Sequence, residues 1–92
     1  MSDKKNTVFL ILQDNEEARP IIDAVEQDNP EANIQYQPGL VRMEADARLV
    51  VNRETVEENL GRDWDIQELH INLISLGGHV TEDEDQIELS WH

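Results

Sequence analysis

The spacing of the apolar residues changes along this 92-residue chain, and these changes restrict its fold more than any other sequence feature. Thr7–Gln13 is an apolar run rich in β-forming residues, which is typical of a buried strand. Residues 18–25 then follow the spacing of one helical face, and Pro20 places the start of the regular helix nearby. Asn29–Pro30 ends that helix, because a residue before proline is disfavoured in helical conformation. The sequence therefore opens with a strand followed by a helix.

A different spacing begins at residue 32. Three short segments, residues 34–36, 40–43 and 47–51, are rich in apolar or alternating residues and predict strands, and Pro38–Gly39 is a turn signal. Together they predict a small antiparallel β-meander. Asn52 can cap a second helix that runs to Leu60, and Gly61 suits the left-handed position after a helix end.

The segment after Asp65 permits two interpretations. Asp65 and Glu68 have the spacing of a capping box, and the apolar residues at 66, 69, 73 and 76 follow helical spacing. Because Gly77–Gly78 can also close a helix, a helix over residues 66–76 is the favoured interpretation. The alternative is a strand, since the apolar residues at 69, 71 and 73 alternate with polar ones.

In the helical interpretation two isoleucines lie outside the inner apolar stripe. Ile71 and Ile74 fall beside polar residues on the other side of the helix. A helix that is apolar nearly all round is either enclosed by its own fold or offers a second face to another molecule. The sequence leaves these two possibilities open.

The last residues predict a terminal hairpin and complete the fold class. Residues 79–81 and 86–91 flank the acidic turn Glu82–Asp85. The elements together predict an α+β (mixed α/β) fold in the order β-α-β-β-β-α-α-β-β. We expect one small domain, residues 7–92, behind a flexible N-terminal tail, residues 1–6.

Charge and cysteine content exclude several classes of protein. Seven Lys and Arg residues stand against 21 Asp and Glu residues, a formal net charge of −14 that would be repelled by nucleic acid or an anionic membrane. The apolar run near the N-terminus is too short for a secretion signal or a membrane span, so we expect a cytoplasmic protein. The absence of cysteine excludes disulfides, thiolate zinc sites and iron–sulfur clusters.

The chain also lacks the patterns of a catalytic or metal site. No Glu lies three residues before His70, His79 or His92, as paired di-iron motifs would require. The carboxylates at residues 63, 65 and 82–85 offer only a weak alternative, an enzyme without a recognisable base or metal pattern. We therefore predict no catalytic residue, no cofactor and no metal. Trp64 and Trp91 are expected in the core or at its rim, with Trp64 as an alternative interface anchor.

Four blocks of the sequence resemble a known family. Residues Arg19–Pro30, Thr55–Arg62 and Asp65–Gly78, followed by the turn at Glu82–Ile87, are similar to the effector components of bacterial multicomponent monooxygenases. Members serve soluble methane monooxygenase, toluene monooxygenases and phenol hydroxylases. The opening at Val8–Gln13 resembles most the phenol hydroxylase members.

The resemblance implies a non-catalytic regulatory subunit without a prosthetic group. Such a subunit would bind a di-iron hydroxylase that receives electrons from an NADH-dependent iron–sulfur flavoprotein reductase, and would promote coupled hydroxylation of phenols. The family's hydroxylase-binding segment maps onto Asn72, Ile74, Ser75, Leu76, Gly77 and Gly78. This chain departs from the methane system, which has small hydroxyl residues where Ile74 and Leu76 stand. A carrier of small apolar ligands, with a pocket between sheet and helices, is the alternative function.

Overall fold

The computed structural model describes residues 7–91. In chain order the first half contains β1 (Thr7–Gln13), α1 (Arg19–Asp28), β2 (Asn33–Gln37), β3 (Leu40–Asp46) and β4 (Arg48–Asn52). The second half contains α2 (Arg53–Leu60), a 3-10 turn (Ile66–Glu68), α3 (Leu69–Asn72), β5 (Leu73–Gly77), β6 (His79–Glu82) and β7 (Gln86–Ser90). The predicted α+β class and order of elements are confirmed, with one strand, β5, beyond those predicted.

Local signals account for the ends of α1 and α2. Pro20 lies in the first turn of α1, where its missing N–H has no helical partner to lose. Gly61 follows α2 with a φ of 75°, and its N–H donates to the carbonyl of Glu57. Only glycine adopts this left-handed conformation without steric cost, so the helix ends there. Both predicted helices are confirmed.

A four-stranded antiparallel sheet has the strand order β2-β3-β1-β5. β1 pairs with β3 along its whole length, from Thr7 opposite Asp46 to Gln13 opposite Leu40. β5, from the last third of the chain, pairs with the other side of β1. β1 therefore lies inside the sheet and β5 is an edge strand, with one long side not paired within the sheet.

A second antiparallel sheet has the strand order β4-β7-β6. β6 and β7 form the predicted terminal hairpin, whose turn is closed by Asp83: its carboxylate accepts hydrogen bonds from the backbone N–H groups of Asp85 and Gln86 at 2.8 and 3.0 Å. β4 pairs with β7 and not with β3. The third strand of the predicted meander therefore lies in the other sheet, a long-range pairing that local turn signals do not reveal.

The core is built almost entirely from aliphatic side chains. The two sheets, α1, α2 and the segment before α3 all contribute buried residues. Asn29 joins α1 to β4, since its side chain donates to the carbonyl of Val50 at 2.7 Å and accepts from the N–H of Val50 at 3.0 Å. Trp64 is buried in the core, whereas Trp91 is 46% exposed and donates through Nε1 to the carbonyl of Thr7 at 2.8 Å.

The favoured helix over residues 66–76 is wrong beyond Asn72. The capping box at Asp65 and Glu68 is present, but the chain becomes extended at Leu73, with φ −75° and ψ 126°. In β5 the chain pairs with β1, which satisfies backbone groups of β1, and Leu73 and Leu76 pack against the core. Tertiary pairing therefore overrides the local helical pattern. The alternative strand interpretation is correct only from Leu73 onward.

Candidate protein-docking site

The residues that the sequence places in a binding segment lie at the α3–β5 junction and along the edge strand. Ile74 is 48% exposed and Ser75 is also exposed, while Gly77 and Gly78 are half-buried. Asn72 and Leu76 differ from these, because Asn72 is only 5% exposed and Leu76 packs against the core. The structure therefore brings the side chains of Ile74 and Ser75 to the surface and turns two of the six predicted residues inward.

Asn72 holds the junction in place. Its Oδ1 accepts a hydrogen bond from Nδ2 of Asn15 at 2.9 Å, and Oδ1 of Asn15 accepts from the N–H of Ala18 at 2.8 Å. One amide pair thus links the turn before α1 to the last residue of α3. A buried amide is stable only when it is hydrogen-bonded, so this pair fixes where the helix ends and β5 begins.

A bulge next to this junction exposes Ile74. Leu12 lies opposite Leu73 and Ile11 lies opposite Ser75, so Ile74 is an extra residue on β5 without a partner on β1. Bulges bend a strand locally and redirect side chains. Ile71, two residues before Leu73, is 66% exposed. Both isoleucines that fell outside the predicted stripe are therefore at the surface, although not on one helix.

Sequence reasoning missed two further residues beside this segment. Phe9 lies opposite Gly77 and Ile11 lies opposite Ser75, so all four occupy the same face of the sheet. Phe9 and Ile11 are half-buried, in alternation with the fully buried Val8, Leu10 and Leu12. The signal in the sequence is that β1 carries apolar residues on both of its faces, a pattern that predicts a buried strand and does not distinguish the core face from a docking face.

A small surface cleft adjoins α3. It has a volume of about 260 Å³ and combines the apolar residues Ile21, Leu60, Trp64 and Ile71 with a charged rim that includes Glu16, Glu17, Arg62 and Glu68. Trp64 is only 4% exposed, so it contributes to the core as first expected and not as an exposed anchor.

A larger cleft near the terminal hairpin is acidic. It has a volume of about 870 Å³ and is lined by Arg53, Glu57, Asp63, Trp64, Asp65, Ile66, Gln67, Glu68, Glu82, Asp83 and Glu84. Several of these carboxylates have structural partners: Asp65 caps the 3-10 turn, Asp83 closes the hairpin, and Glu82 accepts from Nε2 of Gln67 at 2.7 Å. Within residues 7–91 no group of three or more His, Asp or Glu residues is placed to hold a metal ion.

The space between sheet and helices is filled by side chains. Ile22, Val25 and Met43, which an apolar-ligand pocket there would have to leave accessible, are all 0% exposed. The acidic lining of the large cleft also does not suit an apolar ligand. Both observations count against the carrier alternative. Among the described residues, no helix has the length and apolar character needed to cross a membrane.

Comparison with known proteins settles the family. The model of the MmoB/DmpM family matches residues 6–90, which is almost the whole chain. The chain belongs to the MmoB/DmpM family. The resemblance seen in the sequence blocks is thereby confirmed.

One relative and two solved structures are similar to this chain. The phenol 2-monooxygenase stimulatory component DmpM of Pseudomonas sp. (strain CF600) is 50% identical over 84 residues, covering 91% of this chain and 93% of that protein. A chain in the structure of a phenol hydroxylase–regulatory protein complex superposes with a TM-score of 0.90 at 52% identity, covering 94% of this chain and 99% of that chain. The soluble methane monooxygenase regulatory protein B, at 20% identity and a TM-score of 0.74, shares the fold; the match covers 100% of this chain and 67% of that one.

Proposed function

We propose that this chain is the regulatory subunit of a multicomponent phenol hydroxylase, and that it acts by docking on the di-iron hydroxylase without performing chemistry itself. The observation that carries the proposal is the 50% identity to a stimulatory component over nearly the full length of both chains. A chain of 52% identity comes from a complex of a phenol hydroxylase with its regulatory protein. In this proposal the hydroxylase supplies the di-iron chemistry and the reductase supplies electrons from NADH in the cytoplasm.

The docking surface we propose is the exposed part of the segment from Asn72 to Gly78. Ile74 and Ser75 would contact the hydroxylase directly, because both are exposed at the edge of the sheet. Asn72 and Leu76 would act indirectly by fixing the junction and the inner side of β5. An exposed isoleucine beside a small serine on a rigid strand suits a close, largely apolar contact.

The mechanism follows from linkage between binding and conformation. A subunit that binds two hydroxylase states equally well does not change the ratio of those states, however tightly it binds. To change the ratio of two states tenfold, it must bind one of them better by about 1.4 kcal/mol. A rigid strand edge can provide such discrimination, because it fits one arrangement of the partner surface and clashes with another. The favoured hydroxylase state would be the one that couples NADH oxidation to hydroxylation of phenol.

The test is NADH-driven hydroxylation of phenol by the hydroxylase and reductase, with this protein titrated in. We expect product formed per NADH to rise and to saturate at a fixed ratio of this protein to hydroxylase. A flat titration, with the hydroxylase shown to be active by peroxide-driven turnover, would contradict the proposal. Direct binding measured in parallel by sedimentation separates a failure to dock from a failure to stimulate.

A further inference from the structure

The outer face of the four-stranded sheet continues the surface that carries Ser75. Strand alternation places one side chain of every two on this face, and its members are half-buried or exposed. They are Thr7, Phe9, Ile11 and Gln13 of β1, Asn33, Gln35 and Gln37 of β2, Leu40, Arg42, Glu44 and Asp46 of β3, and Ser75 and Gly77 of β5. The apolar part of the face is formed by Phe9 and Ile11 of β1, one of the two inner strands.

Phe9 lies at the centre of this face, and its ring is contacted by the backbone of β5 and by the side chain of Arg42. A Cβ atom added to Gly77 would lie 2.8 Å from Cδ2 and Cζ of the Phe9 ring and closer still to Cε2, so the ring rests directly on the backbone of β5. The guanidinium carbon of Arg42 stands 4.7 Å from the ring centroid. Arg42 is in turn paired with Glu44. The ring therefore has a defined position that depends on the missing side chain at Gly77.

The charge of this face differs from that of the rest of the molecule. The chain carries a formal net charge of −14, whereas the charged residues among the strand positions of this face named above are the Arg42–Glu44 pair and, at its far end, Asp46. Glu31 borders the same cleft as Phe9. The helices α1 and α2 hold six carboxylates against two arginines: Asp23, Glu26, Asp28, Glu54, Glu57 and Glu58 against Arg19 and Arg53. The three charges of Arg42, Glu44 and Asp46 leave the face with a net charge of only −1, and an aromatic side chain beside an arginine is a combination that is enriched at interface cores.

From this geometry we infer that Phe9 is the anchor of the docking surface, and that Gly77 is a positioning residue that sets the orientation of its ring. The partner is the hydroxylase, through a surface that combines the apolar side chains of β1 with the neighbouring Arg42–Glu44 pair; the inference therefore rests on the proposed function. A second copy of this chain is disfavoured as the occupant, because it would bring an equal net negative charge against the first. The face and the exposed residues of β5 then form one continuous contact.

A double-mutant cycle tests the inference. Phe9→Ala, Gly77→Ala and the double variant are titrated against the intact hydroxylase, and both the Kd and the product formed per NADH are measured. We expect each single variant to weaken binding about tenfold, since loss or displacement of a central aromatic anchor is costly. Gly77→Ala should have little further effect once Phe9 has been removed, because no ring remains to be displaced.

Tyr36→Ala is the matched control. Tyr36 is an exposed aromatic residue of the same sheet, but it lies opposite Val41 on the other face, so its removal should leave the Kd unchanged. Thermal unfolding of each variant identifies losses that come from the fold. Should Phe9→Ala fail to fold, Arg42→Gln replaces it: this change removes a contact within the chain that positions the ring, so binding should weaken by at most about fivefold.

The outcomes separate the inference from the proposed function. Wild-type protein that neither binds nor stimulates the hydroxylase would contradict the proposed function. Wild-type protein that binds, together with folded Phe9 and Gly77 variants of unchanged Kd, would overturn the inference alone. Variants that change the sedimentation of the free chain and leave the hydroxylase Kd unchanged would also overturn it, and would assign the face to contact between copies.

Discussion

The two faces of the four-stranded sheet differ in what they contact. On the inner face Val8, Leu10 and Leu12 are at most 1% exposed and pack in the core, whereas Phe9 and Ile11 on the outer face are half-buried. Because neighbouring residues of a strand point to opposite faces, alternate positions of β1 serve different purposes. The inner positions stabilise the domain, and the outer positions are those that we propose for docking. A substitution should therefore affect stability or binding according to the face on which it lies.

Leu10→Ala should have the largest effect of these substitutions, and it should lower stability without changing the affinity for the hydroxylase. Leu10 is 1% exposed, and removing a buried leucine side chain typically lowers the free energy of unfolding by about 2–5 kcal/mol. Urea denaturation measures the loss. The Kd of the folded variant for hydroxylase should stay at the wild-type value. Weaker binding without any loss of stability would contradict the separation of the two faces.

Ser75→Arg should weaken binding to the hydroxylase and leave the stability of the domain unchanged. Ser75 is exposed on β5, so the fold should tolerate arginine, but a charge buried at a docking contact should weaken hydroxylase binding by about tenfold or more, ~1.4 kcal/mol. The measurements are the Kd and the activation at limiting amounts of this protein. Gln27→Arg, which adds the same charge on the exposed side of α1, is the control and should bind normally. Unchanged activation by Ser75→Arg would remove β5 from the docking surface.

Asn72→Ala should lower both the stability of the domain and its affinity for the hydroxylase. The substitution removes the hydrogen bond from Nδ2 of Asn15, whose side chain is exposed and can bond to water instead, so the free energy of unfolding should fall by about 0.5–1.5 kcal/mol. It also frees the junction that positions Ile74, so binding should weaken severalfold. Chemical denaturation and the hydroxylase Kd measured on the same samples test both effects. A loss of stability with normal binding would show that the junction does not position the docking residues.

Ala47→Gly should have the smallest effect, and none on docking. Ala47 has a φ of 69°, a left-handed conformation that costs a residue with a Cβ about 1–2 kcal/mol. Glycine removes this strain but adds flexibility to the unfolded chain, so the net stabilisation should be below about 1 kcal/mol. The shift of the thermal midpoint measures it. A clear destabilisation would show that the Ala47 side chain contributes packing that its conformation does not suggest.

The sequence was a good guide wherever structure depends on neighbouring residues. Gly61 ends α2 and the acidic turn Glu82–Asp85 joins the terminal hairpin as predicted, since a left-handed turn and a side-chain cap such as that of Asp83 act over a few residues. The prediction was wrong where a distant strand decides the outcome. The end of α3 at Asn72 and the pairing of β4 with β7 depend on residues far away in the chain, and no local pattern reports them.

In the candidate site, too, local features could be predicted and features that depend on distant residues could not. The resemblance placed a binding segment at residues 72–78, and the spacing of Ile71 and Ile74 placed both outside the inner apolar stripe of the predicted helix. The inward orientation of Leu76 depends on its register with Leu10, which only pairing with β1 defines. The docking role that we infer for Phe9 could not be predicted either, because it depends on the ring meeting Gly77, almost 70 residues further along the chain.

The position of β5 beside β1 also has a consequence for synthesis on the ribosome. β1 is made first, yet its second neighbour in the sheet, β5, ends at Gly77, so the sheet stays incomplete until most of the chain has emerged. Until then the apolar β1 presents an open edge, the kind of surface that promotes aggregation of nascent chains. A premature stop before residue 73 would therefore yield a fragment with an exposed β1 edge, which we expect to be degraded or to aggregate instead of competing for the hydroxylase.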